Sequence, residues 1–522
     1  MKMKTIVLTG SDLRVNDIYA ITQESSISVE IAKSSLEWVK KSKEFLEQEF
    51  GKKIIYGVNT GFGPMASHII GRNEIIELQE NLIHGHAMGM GEPLPTSYVL
   101  AAMVVRLNTL AKGYSGASPE LLKQLQIFIN KRIIPVVPEH GAVGTSGDLV
   151  QLAHIALALI GEGEVLYKGK RERTLKVLRA LRIKPYKLKP KEGLSLINGT
   201  SMMAGIASLL CVEARRLVSL SIETGAFSLE TVGAFDDSIA EKLHKLRPHR
   251  GQGVVAQSLR TLLESSHLLR HRDKFQKKFL VTNTTHKIPE SVQEVYSLRC
   301  IPQVVGPVLD TLAKTWKDIE IEINSVTDNP VIDLKRKMLI HGGNFHGDYV
   351  AVAIDQLKIS LVKLAMLSER RINFFMNHSV NNFFPPFMNL KKPGLTMGLQ
   401  GLQFVATSTT AQNQTLAFPH HIHSIPTNAD NQDIVSMGTD ATLFAARVIE
   451  NTYVVLAIEL ITLAQATDFL GERGEYSSSS RLLFREMRKL FPAIVDDRDV
   501  SKKLEKVLQY VKQSKVLDIA WL

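Results

Sequence analysis

The tripeptide Thr145-Ser146-Gly147 can build an electrophile out of the chain itself. The amide nitrogen of the third residue can attack the carbonyl carbon of the first, closing a ring with loss of water. A Gly in third place has no Cβ to obstruct that approach. A Ser in second place can then lose a second water and leave an exocyclic methylene, an electron-poor alkene. The tripeptide lies in Gly141-Ala-Val-Gly-Thr-Ser-Gly-Asp148, directly before the apolar run Leu149 to Ile160. That run predicts a helix whose positive N-terminal end supports negative charge. Asp148 falls in its first turn. The same residue types also start helices and make turns for purely structural reasons, so the local pattern alone leaves both readings open.

The elements that must position such a group are mostly helical. Residues 1–60 alternate short β-like runs with one amphipathic helix, Ile27 to Phe50. Beyond Leu94 the pattern is strongly helical, with long stretches at Pro302 to Asn324, Gly347 to Asn377 and Asp440 to Phe469. Helices that long and apolar on several sides belong inside a bundle. The segment Gly163 to Lys191 is an exception, with short β-like pieces such as Val165-Leu166-Tyr167. The expected class is mainly α, a long central helix bundle with a smaller mixed N-terminal part. It reads as one continuous catalytic unit in three parts: residues 1–200 with the tripeptide, 201–476 with the long helices, and 477–522 as peripheral helices.

Composition narrows the function classes. Charged residues make up 22% and the formal charge is +11, modest for 522 residues. The densest basic stretch, Lys168 to Lys191, holds eleven Lys or Arg and does not alternate them with aromatics in the way a base-stacking surface would. It reads as a solvated loop with short strands rather than a nucleic-acid surface. Cys211 and Cys300 are far apart, without metal-ligand spacing, so no metal site is expected and a reducing compartment fits. The N-terminal apolar run is shorter than a signal peptide's core. The late apolar segment Thr452 to Ala466 contains Glu459 and is too short to span a bilayer. A cytoplasmic protein with no membrane partner is expected.

Six segments in order carry a resemblance. Besides Gly141 to Gly163 they are Tyr56-Gly-Val-Asn-Thr-Gly-Phe-Gly63, Leu196-Ile-Asn-Gly-Thr200, Tyr296-Ser-Leu-Arg-Cys300, Gly342-Gly-Asn-Phe-His-Gly-Asp348 and Asn428-Ala-Asp-Asn-Gln-Asp433. Together, over about residues 50 to 470, the chain resembles the histidine and phenylalanine ammonia-lyase family, and within it bacterial tyrosine ammonia-lyases of the pigment-pathway type. The resemblance implies an ammonia-lyase/fumarase-like fold and a homotetramer in which each site takes residues from three subunits. It also implies a methylidene-imidazolone (MIO) group formed autocatalytically from Thr145, Ser146 and Gly147, with no external cofactor. By the same resemblance Tyr56 is the base for the β-proton and Arg299 pairs bidentately with the substrate carboxylate. Asn198 hydrogen-bonds the substrate or MIO, Tyr296 and Gln293 support the MIO ring and the carboxylate end, Phe345 packs against the group, and Asn428 and Gln432 line the site.

Substrate choice is expected at Gly85-His86, where phenylalanine lyases show Phe-Leu, one tyrosine lyase group His-Leu, and histidine lyases Ser-His. A small residue beside His86 argues against a purely apolar pocket; the imidazole can serve a phenol hydroxyl or another imidazole. Gln412 stands where histidine lyases use a Glu, which favours a neutral phenol over a partly cationic ring. Thr145 replaces the usual Ala. Related aminomutases alter the 412 position, and some carry Thr at the first tripeptide position. The reading is therefore L-tyrosine to p-coumarate plus ammonia, with histidine to urocanate and a 2,3-aminomutase as alternatives, and a non-catalytic helical scaffold as the rival class.

Overall fold

The computed structural model describes residues 4–279, 281–471 and 475–517; the ends of the first and last expected parts, residues 1–3 and 518–522, lie outside them. The chain divides into two compact units. One comprises Met1–Val212, Thr315–Asp355 and Pro419–Phe444; the other comprises Glu213–Lys314, Gln356–Phe418 and Ala445–Leu522.

The first unit opens with two parallel strands, Lys4–Leu8 and Ile27–Ile31, in register from Lys4 opposite Ile27 to Leu8 opposite Ile31. The helix expected from Ile27 therefore begins only at Lys33 and ends at Glu49. The reason is periodicity: Ile27, Val29 and Ile31 are buried while the residues between them are not, a period of two that a helix cannot satisfy. Thr96–Ala111 is buried on every side from Val99 onward and forms the centre of the unit. Three short strands, Ile134–Pro135, Glu164–Tyr167 and Lys170–Arg173, make an antiparallel sheet, as the β-like pieces after Gly163 predict. Lys191 departs from the expected solvated basic stretch. It is fully buried and ion-paired to Asp328.

The long helices are Ser201–Val232, Ile301–Glu322, Asp348–Met376 and Gly438–Leu470. The last three match expected stretches within a few residues; the first was not among them. The first turns of Ser201–Val232 and Gly438–Leu470 belong to the first unit, as does all of Leu149–Leu159. They meet at Asp148. Its backbone occupies the N-cap position of Leu149–Leu159, but its carboxylate serves another helix. One oxygen accepts the backbone N–H groups of Met202 (2.8 Å) and Met203 (3.1 Å), and the other accepts the Thr439 hydroxyl. The carboxylate thus caps the start of Ser201–Val232 and ties down the start of Gly438–Leu470.

In the second unit the apolar run Thr452–Ala466 is the middle of a 33-residue helix. That helix is long and apolar enough to cross a membrane, yet 78% of its most apolar window is buried inside the protein. Its one acid there, Glu459, is fully buried and paired with Arg371. Ser368 donates to the same carboxylate at 2.6 Å and Ser228 at 3.3 Å, while Arg371 also donates to Thr224 at 3.3 Å. The tail from Ser477 starts less peripherally than its polarity predicts. Ser477 and Ser480 are buried, and the Glu230 carboxylate accepts from both.

Two stability measurements follow. Arg371→Met strands the Glu459 charge and lowers unfolding stability by about 3–5 kcal/mol, whereas Arg371→Met with Glu459→Leu costs far less; urea midpoints compare them. Burial pushes the Asp148 carboxyl up to about 6, against the opposing pull of the Thr439 hydroxyl and the two amides. The folded chain therefore holds that proton more tightly than the unfolded chain. The carboxyl carries no penalty below about pH 4, and the penalty grows until about pH 6. Relative to Asp148→Asn, the native chain loses up to roughly 3 kcal/mol of stability across that window, read from denaturant titrations of both at each pH.

Candidate active site

The loop before Leu149–Leu159 is held by backbone contacts. Gly199 donates its N–H to the Ser146 carbonyl, and Asp148 donates its N–H to the Gly199 carbonyl, both at 2.9 Å. Ser146 adopts φ 55° and Gly147 φ 79°, the left-handed region that L side chains rarely enter. A Cβ built on Gly147 would lie 2.1 Å from the Gly199 oxygen, so only glycine fits. Thr145 is buried and Ser146 is half-buried. The residues present thus suit a cyclised tripeptide: the third position is closed to any side chain, and the second faces a cavity.

That cavity is about 350 Å³ and is lined by Tyr56, Ser146, Asn198, Phe345 and Gln432 among others. Tyr56 lies in the turn after Ile55, with its ring edge-on to Phe62 at 6.2 Å. Its hydroxyl accepts the Gly63 N–H at 3.1 Å, which leaves its own proton to donate elsewhere. Its backbone N–H donates to His341 Nε2 at 3.3 Å. Burial lowers the His341 pKa, and the nearby Lys191 lowers it further. Asn198 is 2% exposed and ends the short helix Glu192–Ile197.

A second cavity of about 460 Å³ shares Thr145 and Gln432 with the first. One wall is the helix Ile75–His86. Leu78, Asn81, Leu82 and Gly85 fall at i, i+3, i+4 and i+7 and present one helical face to it. Gly85 leaves open space, since a Cβ there would meet nothing within 4 Å. His86 also lines this cavity, and its Nδ1–H donates to the Leu82 carbonyl at 2.8 Å. A carbonyl can only accept, so the neutral imidazole keeps a lone pair on Nε2. The opposite wall includes Asn428, which begins a left-handed turn through Asp430. Paired backbone bonds between Thr427 and Gln432 close that turn.

Ten expected site residues thus belong to the first unit, around two adjoining cavities. The other four belong to the second unit. Gln293 and Arg299 line their own pocket of about 330 Å³. The Arg299 guanidinium stacks on the Tyr296 ring at 4.5 Å and its Nε donates to the Glu294 carbonyl at 3.0 Å. Tyr296 is 71% exposed. Gln412 is exposed, and its carbonyl oxygen accepts the Asn451 amide at 2.8 Å, leaving its own N–H groups as donors. The sequence reading missed Lys191 and Asp328, the buried pair behind Asn198. The only signal was Asp328 in Thr-Asp-Asn-Pro, a polar run that also reads as a turn. Among the described residues no cluster of His, Cys, Asp and Glu could hold a metal ion.

The sequence model described as aromatic amino acid lyase matches residues 13–489. A histidine ammonia-lyase of Staphylococcus aureus is 40% identical over 513 residues, 98% of each chain. Among solved structures, a tyrosine aminomutase from Streptomyces globisporus aligns with a TM-score of 0.94 at 35% identity over 97% of each chain. A phenylalanine aminomutase of Pantoea agglomerans aligns with a TM-score of 0.94 at 34% identity, over 98% of this chain and 99% of its own. With the tripeptide loop and the two cavities beside it, these matches place the chain in the aromatic amino acid lyase family, as a carbon–nitrogen lyase of the ammonia-lyase kind.

Proposed function

We propose that the enzyme eliminates ammonia from L-tyrosine to give p-coumarate, using MIO formed from Thr145, Ser146 and Gly147. The observation that carries this reading is Gly147, pressed so closely on Gly199 that no side chain fits, beside a left-handed Ser146 facing the Tyr56 cavity. MIO supplies an electrophilic methylene that makes the substrate amine a better leaving group. Tyr56, once its own phenol proton has left, takes the β-proton as a phenolate, its oxygen held by the Gly63 N–H. Phe345 packs over the tripeptide, and Asn198 meets the substrate beside it.

The ring occupies the second cavity. Gly85 makes room for it, and His86 Nε2 accepts the phenol proton. Gln412 offers N–H groups to the phenol oxygen, and Asn428 and Gln432 close the wall. Arg299, with Gln293, pairs with the substrate carboxylate, while Tyr296 stacks on Arg299 and supports the MIO ring. These residues and Gln412 come from neighbouring copies in a cytoplasmic homotetramer. Large exposed apolar side chains support assembly: Phe404 and Phe418 are 64% and 61% exposed, Ile425 and Ile434 67% and 66%. Histidine is the second reading, favoured by the histidine ammonia-lyase relative at 40% identity.

An ultraviolet scan of the purified enzyme with L-tyrosine, L-histidine and L-phenylalanine in turn decides the substrate. The coumarate band is expected with tyrosine. The urocanate band alone would establish the histidine reading, and a β-amino acid without matching free ammonia would establish an aminomutase. The intact mass of the native chain falls short of its sequence by two waters, and Ser146→Ala retains at least one of them; an unmodified native mass overturns the MIO mechanism. His86→Leu removes the phenol's acceptor, so kcat/KM for tyrosine drops about tenfold or more relative to phenylalanine.

A further inference from the structure

Asn198 reaches the cavity beside Ser146 with its amide already committed on one side. Its Nδ2 donates to Asp328 Oδ1 at 2.9 Å and to the Asn329 carbonyl at 3.2 Å. Both partners accept only: a backbone carbonyl has no proton, and Asp328 Oδ1 already accepts a backbone N–H, that of Asn329 at 2.7 Å, while its other oxygen lies 2.8 Å from Lys191 Nζ. Lys191 donates further to Ser195 Oγ at 3.3 Å. Lys191, Asp328 and Asn198 are 0%, 1% and 2% exposed, so water cannot substitute for these bonds. A flipped Asn198 amide would set its oxygen against two other oxygens. The side chain therefore has one orientation, with both Nδ2 protons directed away and Oδ1 left over.

We infer that the buried Lys191–Asp328 pair is a positioning device that turns Asn198 so that only its carbonyl oxygen serves the cavity, and that this oxygen receives the amino group of the substrate. The inference rests on the reading that this cavity takes an α-amino acid. Of the two groups such a substrate carries at its α-carbon, only the amine has protons to give. A carboxylate placed against Oδ1 would be repelled. An amide oxygen does not take the proton; it aims the nitrogen at the residue beside it, Ser146. Lys191 and Asp328 touch no substrate and act through Asn198.

The test separates ligands by the group each lacks. Binding of L-tyrosine, tyramine (no carboxylate) and 3-(4-hydroxyphenyl)propanoate (no amine) is compared in the native enzyme, in Asn198→Ala, and in Lys191→Met with Asp328→Leu, which removes the buried charges together. L-Histidine, histamine and 3-(imidazol-4-yl)propanoate run in parallel, so the contrast is readable whichever ring the enzyme prefers. Both variants should weaken tyrosine and tyramine about tenfold or more and leave the propanoate unchanged. A mere loss of packing would weaken all three alike. Equal loss for the propanoate in Asn198→Ala overturns the amine assignment. Native behaviour of the double variant beside a defective Asn198→Ala overturns the positioning role. If circular dichroism shows the double variant unfolded, Lys191 and Asp328 are structural residues and only the Asn198→Ala contrast stands.

Discussion

A single buried carboxylate sets the geometry on which the rest of the first unit depends. Asp148 is 0% exposed, where an ionised carboxylate is costly unless every lone pair finds a donor. The donors it finds are the first amides of Ser201–Val232 and a hydroxyl from the first turn of Gly438–Leu470. Its own backbone starts Leu149–Leu159. The carboxylate therefore fixes the relative placement of three helix starts, and their positive ends supply its compensation. Thr145, Ser146 and Gly147, immediately before it, inherit that placement. They are pinned from the other side by Gly199, which lies just before the same capped helix.

The two cavities beside this loop differ as the two ends of an aromatic amino acid differ. The smaller presents polar groups, Tyr56 and Asn198, each already oriented by fixed partners. The larger is walled by Leu78, Leu82 and Val143, with His86, Asn81, Asn428 and Gln432 as its polar points. Preorganisation is common to both: Tyr56 by the Gly63 amide, His86 by the Leu82 carbonyl, Asn198 by Asp328. In each case a neighbour uses up one hydrogen-bonding face and so decides what the other face can offer. A site built this way has little reorganisation left to do when charge moves.

The legible parts of the sequence were those carried by local chemistry. Thr-Ser-Gly could be singled out because it meets both cyclisation requirements, yet the same residues also start helices, and only the further segments in order favoured the chemical reading. Ile301–Glu322, Asp348–Met376 and Gly438–Leu470 announced themselves by apolar periodicity, the last two without an interrupting Pro or internal Gly. The Ile27–Ile31 strand was lost because its alternation runs directly into the helical pattern from Lys33. Lys191 looked like the end of a basic surface stretch because charge counts along the chain do not report that one lysine turns inward. Its partner, Asp328, lies 137 residues away, and nothing in either neighbourhood marks the other. Asp148 was placed at the correct helix start, but its carboxylate caps a helix that begins more than fifty residues later.

The same distinction explains why Asn198 could be singled out but not understood from the sequence. As Asn-Gly it matches a turn, and as part of Leu196 to Thr200 it matches a family segment. Neither says which end of the amide faces outward. That is fixed by acceptors from the 327–329 segment, one of them the Asp328 carboxyl that Lys191 pairs with at 2.8 Å. Gly199, φ 136°, could not carry a side chain either, because a Cβ there would lie 2.1 Å from the Thr327 carbonyl. Two close approaches thus meet at residues 198 and 199: the 327–329 segment brings Asp328 to Asn198, and the tripeptide loop brings Gly147 to Gly199. The tripeptide loop and the Asn198 amide are therefore placed from the two sides of one Asn-Gly step.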